Sequence, residues 1–317
     1  MEPPRDPTDP LRVSDASAGR RVLVTGSHGG IGRALVPFLR ARGWKVVPLV
    51  RGPRGEGDAW WDPERGAIDL GAAGPLHAVV HLAGENAAAG RWTARRRARI
   101  RESRVAGTRF LAEVLAALAE RPAVLVSVSA TGIYGDRGGE VLDESSAPGA
   151  GFLAEVVLGW EAAADPARAA GIRVVHPRLG MVLDPAAGAL AKMIGPFRWG
   201  LGGRLGSGRH FVPWIAIDDV LEVFALALEE PVLEGPMNAV APETITNREF
   251  TRALARALHR PAFLPVPPWA LRLALGAMAD EMLLASQRVR PARLEAAGYR
   301  FRHATVEEAL HHLLVRG

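Results

Sequence analysis

The chain has 317 residues, of which 48% are hydrophobic and 23% charged, and it contains no cysteine. That length supports a full hydrophobic core and exceeds one minimal module. The missing cysteines exclude disulfides and thiolate metal sites. The net charge of +5 suggests a nucleic-acid partner, but only two of the 39 basic residues, Lys45 and Lys192, are lysines. We interpret the arginines as scattered surface charges and predict no nucleic-acid partner.

From the sequence we expect neither a secretory signal nor a membrane-spanning helix. Residues 1–19 begin "MEPPRDPTDP", which is acidic, rich in proline and without the apolar segment of a secretory signal. We predict a disordered extension there. Apolar stretches such as "PPWALRLALGAMADEML" are interrupted by Arg272 and Asp280 before they reach the roughly 18 residues of a membrane helix. We therefore expect a cytoplasmic protein without a membrane partner, in an oligomeric state that the sequence leaves open.

From Arg20 onward, short runs rich in β-branched residues alternate with helical stretches. The predicted strands are 21–25 ("RVLVT"), 45–50, 78–82, 123–129, one within 172–180, and 237–240. The predicted helices are 31–42, 93–119, 153–170, 218–230, and one that begins with a capping box at Thr246 and Glu249. Repeated strand–helix units of this length predict a parallel sheet with helices on both faces.

A glycine loop joins the first predicted strand to the first predicted helix. Gly26, Gly29 and Gly32 form a G-x-x-G-x-x-G pattern. Such glycines allow a tight turn, close approach of the backbone to a phosphate, and close packing of helix on strand. The start of the helix then presents N–H groups to a pyrophosphate. We predict a dinucleotide contact, with a turn that only packs as the alternative, at Gly26, Ser27, Gly29, Gly30, Ile31 and Gly32.

The end of the second predicted strand indicates which dinucleotide is bound. A carboxylate there would bind a free ribose 2′-OH, but the sequence has Val50 and Arg51. A guanidinium suits a 2′-phosphate, which it contacts through charge-assisted hydrogen bonds. We predict NADP(H) as the cofactor; the alternative is a surface arginine at a strand end.

Two further segments are candidates for cofactor contact. "HLAGE" ends a predicted strand with small residues, so its backbone can pass close to a flat ligand at Leu82, Ala83, Gly84 and Glu85; the alternative is a plain turn. In the helix 93–119, the predicted sheet-facing stripe consists of Ile100, Gly107, Leu111, Val114 and Leu118. Arg104 falls on this stripe and needs an anionic partner, either the Glu85 carboxylate or a cofactor phosphate, unless it extends past the sheet edge.

These motifs together resemble a known family. "VTGSHGGIG", "HLAGE", "IRESR", "SATGIYGD", "PRLGMVL" and "GPFRWGLGGRLGSGRHFVPWI" occur in order, and the likeness extends from about residue 21 to about residue 313. The chain resembles the atypical extended short-chain dehydrogenases/reductases, and among them the SulA-type, nucleoside-diphosphate-sugar-epimerase-like proteins. The resemblance implies NADP(H) binding, with Val182 as a further cofactor contact. It also implies that Ser129 orients a substrate oxygen and that a C-terminal lobe closes over the substrate.

The predicted fold class is α/β, a Rossmann-type doubly wound parallel sheet with a smaller mixed, largely helical C-terminal lobe. We assign 20–183 plus 211–240 to the NADP-binding domain and 184–210 plus 241–317 to the substrate-binding lobe. No metal site is predicted.

Catalysis is where the sequence departs from the family. Reductases of this superfamily use a Tyr-x-x-x-Lys pair, whose lysine lowers the pKa of the tyrosine. The only tyrosines are Tyr134 and Tyr299, and neither has a lysine four residues on. Phe152 is a candidate for the tyrosine's place. Glu155 and His210 are candidate proton donors, although residues in such positions are more often a surface charge on a helix and a loop residue.

A second departure is Ala216, in "WIAIDD", where relatives commonly carry histidine. Loss of the tyrosine–lysine pair removes roughly 10²–10⁴ in rate. We therefore carry two hypotheses. The first is an NADP(H)-dependent oxidoreductase or epimerase that acts on a small substrate with a hydroxyl or carbonyl group, for example one derived from a sugar. The alternative is a non-catalytic NADP(H)-binding sensor or regulatory protein.

Overall fold

A computed structural model describes residues 19–315. The predicted disordered extension therefore lies, apart from Gly19, outside the described residues. The strands, in chain order from β1 to β15, are Arg21–Thr25, Lys45–Val50, Ala59–Asp62, Ala67–Asp69, Ala78–His81, Val124–Ser127, Ser129–Ala130, Val141–Leu142, Arg173–Leu179, Met181–Leu183, Phe211–Val212, Trp214–Ala216, Gly235–Ala239, Ile245–Thr246 and Arg288–Val289. The α-helices, from α1 to α10, are Gly30–Ala41, Ala94–Ala117, Phe152–Ala162, Asp165–Ala169, Gly188–Arg198, Ile217–Glu229, Asn247–Ala257, Pro268–Leu275, Ala292–Ala296 and Val306–Val315.

The main sheet has the order β13-β9-β6-β5-β1-β2-β3-β4, and the short β7 pairs with β9. Every neighbouring pair is parallel except β3 and β4, which form an antiparallel hairpin. The chain runs outward from β1 to β4 on one side and then returns to build the other side from β5. This reversal places a crevice outside the carboxyl ends of β1 and β5, where sheets of this kind bind ligands. The predicted fold class is confirmed.

The sheet is buried on both faces. Within β1, Val22 and Val24 pack in one apolar cluster and Leu23 packs in the other, because successive strand residues point to opposite faces. The first cluster includes side chains of α1, α6, α7 and α10, and the second includes those of α2 and α4. Helices thus cover both faces, as the near-continuous apolar strands predict.

Two details of the predicted helices were wrong. The stretch 153–170 forms two helices, α3 and α4, because Pro166 occupies the first turn of α4 and cannot continue an existing helix. In α2 the predicted residues Ile100, Gly107 and Leu111 are buried, and so are Thr108, Ala112 and Leu115. The predicted residues Val114 and Leu118 are only partly buried. Leu118 is the C-cap and has extended backbone, so the helical stripe ends before it.

The C-terminal part is mixed and largely helical, as predicted. Three two-stranded pairs join distant segments: β10 with β12, β11 with β14, and β8 with β15. Of the segment 211–240, β13 lies in the main sheet and α6 packs on it, while β11 and β12 pair outside that sheet. Among the helices within residues 19–315, none is both long enough and apolar enough to cross a membrane.

Candidate functional site

The glycine loop between β1 and α1 is built around two positions that only glycine fits. Gly26 has a φ of +67°, and a Cβ there would lie 2.9 Å from the carbonyl carbon of Leu82. A Cβ on Gly32 would lie 2.2 Å from the carbonyl oxygen of Gly26. The first glycine therefore lets the loop touch the end of β5, and the second lets α1 pack directly on the loop.

The start of α1 leaves backbone donors available. Gly29 is the N-cap, and no side chain caps the helix. The amide of Gly29 donates to the carbonyl of Gly26 at 2.9 Å, which closes the turn. The amides of the first helical turn have no partner within a helix and carry the positive end of its dipole. This arrangement suits an anion such as a pyrophosphate.

A cavity of about 310 Å³ brings the loop together with the end of β2. Its lining residues are Gly26, Ser27, His28, Gly29, Leu49, Val50, Arg51, Gly52, Pro53 and Trp61. Arg51 is exposed at its rim, and this lining contains no carboxylate. The structure therefore places the predicted residues Val50 and Arg51 beside the glycine loop, where a guanidinium can meet an anionic group of a ligand.

The end of β5 is held by a hydrogen-bond network that the sequence analysis did not find. The Thr25 hydroxyl accepts from the amides of Leu82 and Ala83 at 3.0 and 3.1 Å, so its own proton goes to Nδ1 of His81 at 2.8 Å. Nε2 of His81 then donates to the hydroxyl of Thr108 at 2.9 Å. Burial lowers the pKa of His81 to about 4, so the ring is neutral. The network fixes the predicted contact segment against β1.

The next residues are held from α2, and here one prediction needs correction. The Glu85 amide donates to the Ser103 hydroxyl at 3.0 Å, and Arg104 donates to the backbone carbonyl of Glu85 at 2.9 Å. The Glu85 carboxylate pairs instead with Arg99 at 3.1 Å and Arg96 at 3.7 Å. Arg104 therefore points inward as predicted, but its hydrogen-bond partner in Glu85 is the carbonyl rather than the side chain.

Arg104 lies between the loop and α3. Its guanidinium carbon is 4.9 Å from the centre of the Trp160 ring. A Cβ on Gly84 would lie 3.5 Å from the same guanidinium carbon. Desolvation lowers the pKa of Arg104 to about 10, although the negative charge of Glu85 acts in the opposite direction and raises it. The side chain stays cationic at neutral pH and is only partly neutralised, which suits an anionic ligand beside it.

The remaining predicted contacts are Ile31 and Val182. Ile31 and Val182 are partly buried and pack on one face of the sheet. Val182, in β10, pairs with Ile215 of β12 and is not among the residues that line the cavity. The chain after β10 nevertheless returns to the loop, since a Cβ on Gly30 would lie 2.8 Å from the Cβ of Ala187.

Ser129 is buried in a second polar network. Its hydroxyl donates to Glu161 at 2.6 Å, and Arg178 binds both oxygens of that carboxylate at 2.9 Å. Arg178 also donates to the Tyr134 hydroxyl at 2.9 Å, which donates to the Asn238 side chain at 2.7 Å. Despite desolvation, Arg178 and Ser129 hold the pKa of Glu161 below its usual value. The candidate catalytic hydroxyl is therefore bound to an ionised carboxylate.

Neither tyrosine is poised as an acid at neutral pH. Burial raises the pKa of Tyr134, and burial together with Asp219 raises that of Tyr299. The phenol of Tyr299 donates to the Asp219 carboxylate at 2.9 Å. Tyr134 packs in the turn, as predicted. The activated phenol of the family is thus missing from the structure as well as from the sequence.

The other candidate donors differ in their surroundings. Glu155 is exposed and pairs with Arg101 at 3.1 Å, as a surface charge does. Phe152 stacks edge-on against Trp92, with ring centres 5.2 Å apart. His210 is buried, and its Nε2 has no hydrogen-bond partner among the described residues. Its pKa is lowered by burial, so it is neutral at pH 7. Of these residues, only His210 has a buried polar atom without a hydrogen-bond partner among the described residues.

Comparison with known proteins agrees with this geometry. The profile of the NAD dependent epimerase/dehydratase family matches residues 22–240. The chain belongs to that family. Residues 266–313 match a domain of unknown function. An epimerase family protein of Mycobacterium bovis is 42% identical over 93% of this chain and 98% of its own length. The human epimerase family protein SDR39U1 is 38% identical over 92% of this chain and 98% of its own.

Solved structures of family members have the same fold. The crystal structure of human SDR39U1 (isoform 2) with NADPH superposes with a TM-score of 0.84 at 35% identity, over 93% of this chain and 99% of that one. A nucleoside-diphosphate sugar epimerase of Corynebacterium glutamicum gives a TM-score of 0.79 at 36% identity, over 95% of this chain and 59% of that one. The predicted membership among extended short-chain dehydrogenases/reductases of the epimerase family is confirmed.

Proposed function

We propose that the chain binds NADP(H) at the carboxyl edge of its sheet and acts on a small substrate that carries a hydroxyl or carbonyl group. The observation that carries the proposal is the cavity in which Arg51 faces the glycine loop without a carboxylate in the lining. In NADP(H), a 2′-phosphate takes the place of the ribose hydroxyl that a carboxylate would bind. The NADPH in the human SDR39U1 crystal structure supports the same choice.

Each part of the site has a separate task in this proposal. The first-turn amides of α1 hold the pyrophosphate, and Arg51 binds the 2′-phosphate through charge-assisted hydrogen bonds. The Thr25 network keeps the backbone of Leu82 and Ala83 against the bound dinucleotide. Arg104 supplies a second cation behind that segment. The nicotinamide of the cofactor supplies the hydride chemistry.

Ser129 is the residue of this chain that we assign to the substrate oxygen. Its proton is donated to Glu161, so its oxygen keeps lone pairs that accept from a substrate hydroxyl. The proton of that hydroxyl has no tyrosine to receive it. Turnover is therefore expected to be slow compared with reductases that have the Tyr-x-x-x-Lys pair.

A second candidate function is a non-catalytic sensor of NADP(H). The observation that favours it is the closed network around Ser129, in which Glu161, Arg178 and Tyr134 satisfy one another. In that case, cofactor binding would change the position of the C-terminal lobe for a partner and no hydride would leave the nicotinamide.

Stopped-flow oxidation of NADPH against a panel of carbonyl compounds and nucleotide sugars separates the two candidates. Turnover above about 0.1 s⁻¹ with any compound contradicts the sensor. Ser129→Ala should then lower kcat by at least about tenfold. The control is Ser127→Ala in the preceding strand β6, since the Ser127 hydroxyl is buried without a hydrogen-bond partner among the described residues. This variant should leave kcat unchanged. If Ser129→Ala also leaves kcat unchanged, our assignment of Ser129 is wrong.

A further inference from the structure

A group of three potential metal ligands lies outside the nucleotide site. Asp218 is in the first turn of α6, His303 is in the turn before α10, and His312 is in the last turn of α10. Oδ2 of Asp218 is 3.4 Å from Nε2 of His312 and 3.8 Å from Nε2 of His303. One ligand atom from each residue lies within 4.8 Å of the other two. Two imidazole nitrogens and a carboxylate oxygen thus surround one point.

Hydrogen bonding does not account for this arrangement. Oδ2 of Asp218 is buried and has no hydrogen-bond partner among residues 19–315, although both imidazole nitrogens are close to it. Neither ring therefore directs an N–H group at the carboxylate. Ligands about 2.0–2.1 Å from a tetrahedral zinc ion lie about 3.3 Å from one another. The nitrogen lone pairs of such ligands point to the ion and not to the neighbouring ligand. Ligand atoms around an ion are therefore close to one another without hydrogen bonds between them, as the Asp218 oxygen and the two imidazole nitrogens are here.

The surrounding contacts hold the ligands in place without an ion. Asp219, next to Asp218, accepts from the amides of Arg302 and His303 at 2.8 and 3.2 Å and from the Tyr299 phenol at 2.9 Å. This buried carboxylate fixes the turn that carries His303 against the start of α6. An ion would therefore meet ligands that are already assembled, which lowers the entropic cost of binding.

The two rings also fit a common ion. His303 and His312 stack with centres 4.6 Å apart and an angle of 30° between their planes. Two protonated rings at this distance would repel each other, whereas two neutral rings can both ligate. The side chain of His312 is 45% exposed, so an ion can approach from solvent past this ring, although Oδ2 of Asp218 is itself buried.

We propose that Asp218, His303 and His312 bind a divalent first-row transition metal, with Zn²⁺ as the ion that fits best. Zinc accepts imidazole nitrogen and carboxylate oxygen together, and three protein ligands leave one position for water. Mg²⁺ prefers oxygen ligands, so the two imidazoles disfavour it. The bound ion would tie α10 to the start of α6 and so fasten the end of the chain to the nucleotide-binding half. This site is independent of the proposed NADP(H) site.

The test uses the full-length chain without a histidine tag, stripped with EDTA and titrated with ZnCl₂ in a calorimeter. One equivalent should bind with a dissociation constant in the micromolar range, since the site is partly open to solvent. His303→Ala and His312→Ala should each weaken binding by more than about tenfold. The matched control is His311→Ala, which removes an exposed imidazole from the same helix turn and should leave binding unchanged.

Thermal unfolding gives a second readout that does not depend on heats of binding. Zn²⁺ should raise the Tm of the wild type and of His311→Ala by a few degrees, and Mg²⁺ at the same concentration should not. His312→Ala removes a partly exposed side chain, so it should fold and lose the Zn²⁺ shift. Absence of 1:1 binding at about 100 μM Zn²⁺ would overturn the proposal. Equal weakening by His311→Ala would do the same, because it would show binding by surface histidines.

Discussion

At the scale of single residues, buried polar side chains decide how the carboxyl edge of the sheet is shaped. His81 and Thr25 close β5 onto β1, and Glu161 and Arg178 close α3 onto β9. Each group is paired, because a buried polar atom without a partner costs about 1–3 kcal/mol. These pairs lie next to the candidate ligand-binding residues and hold them in position.

The neutral state of His81 predicts how stability depends on pH. The pKa of His81 is about 4 in the folded protein and ordinarily 6.5, so the unfolded chain binds more protons between these values. The free energy of unfolding is therefore highest above pH 6.5 and should fall by about 3 kcal/mol as the pH drops from 6.5 to 4. Urea unfolding at a series of pH values measures this change.

Other groups titrate in the same range, so a variant is needed for the assignment to His81. The pKa of His176 is also lowered by burial and contributes with the same sign. His81→Gln should be less stable at pH 7 and lose less stability on acidification than the wild type. Identical pH slopes for the two proteins would show that His81 does not cause the effect.

The buried pair of Glu161 and Arg178 should matter more for stability than a surface pair. Their side chains are only 15% and 7% exposed, so Glu161→Ala leaves a buried guanidinium without its partner. We expect it to lower the free energy of unfolding by about 3–5 kcal/mol. Glu307→Ala, which removes the exposed partner of Arg256, should cost less than about 1 kcal/mol. Chemical denaturation of both variants tests the contrast, and similar losses would contradict it.

The sequence predicted single residues only where the signal is local. The glycines and Arg51 are recognisable because strand, loop and helix follow one another in the chain. Glu161 and Asp218 were missed, because Arg178 and His303 lie far along the chain and only the fold brings each pair together. The prediction for Arg104 gave its inward direction correctly, because that direction follows from helical periodicity. Periodicity cannot decide whether the carboxylate or the carbonyl of Glu85 is its partner.

At the scale of elements, α1 shows how close packing serves the ligand. Gly32 touches the loop through its backbone, and any side chain there would push the first turn of α1, with the amides that face the proposed ligand, away from the loop. Periodicity predicted this helix and most strands of the main sheet. Periodicity did not predict the hairpin of β3 and β4. These short strands form because β3 pairs with β2 and with β4, and their hydrophobic pattern alone does not indicate a strand.

Two glycine-to-alanine changes should have opposite effects on stability. Gly32→Ala places a Cβ 2.2 Å from a carbonyl oxygen, so it should lower the free energy of unfolding by about 2–4 kcal/mol and abolish NADPH binding. In α2, a Cβ on Gly107 would meet only Trp61, at 3.9 Å. Gly107→Ala should therefore stabilise the helix by up to about 1 kcal/mol. Thermal unfolding and calorimetry decide both, and an equal sign for the two variants would contradict the packing argument.

At the scale of the whole molecule, strand order places the site. The chain reverses its direction of growth between β1 and β5, so the glycine loop, the end of β2 and the segment after β5 meet at one edge of the sheet. Alternating strands and helices in the sequence predicted this sheet. The sequence did not show how the C-terminal segments return, because the two-stranded pairs and the Asp219 contacts join residues far apart in the chain.

The central claim is that the first-turn amides of α1 and the guanidinium of Arg51 hold a 2′-phosphorylated dinucleotide. Calorimetric titration of the full-length chain with NADPH and NADH tests it directly. We predict that NADPH binds at least about tenfold more tightly than NADH, a difference of about 1.4 kcal/mol. Arg51→Ala, which removes the guanidinium without adding a carboxylate, should remove that preference and leave NADH affinity unchanged. No heat with millimolar NADPH or NADP⁺, or equal affinity of the wild type for NADPH and NADH, would contradict the account.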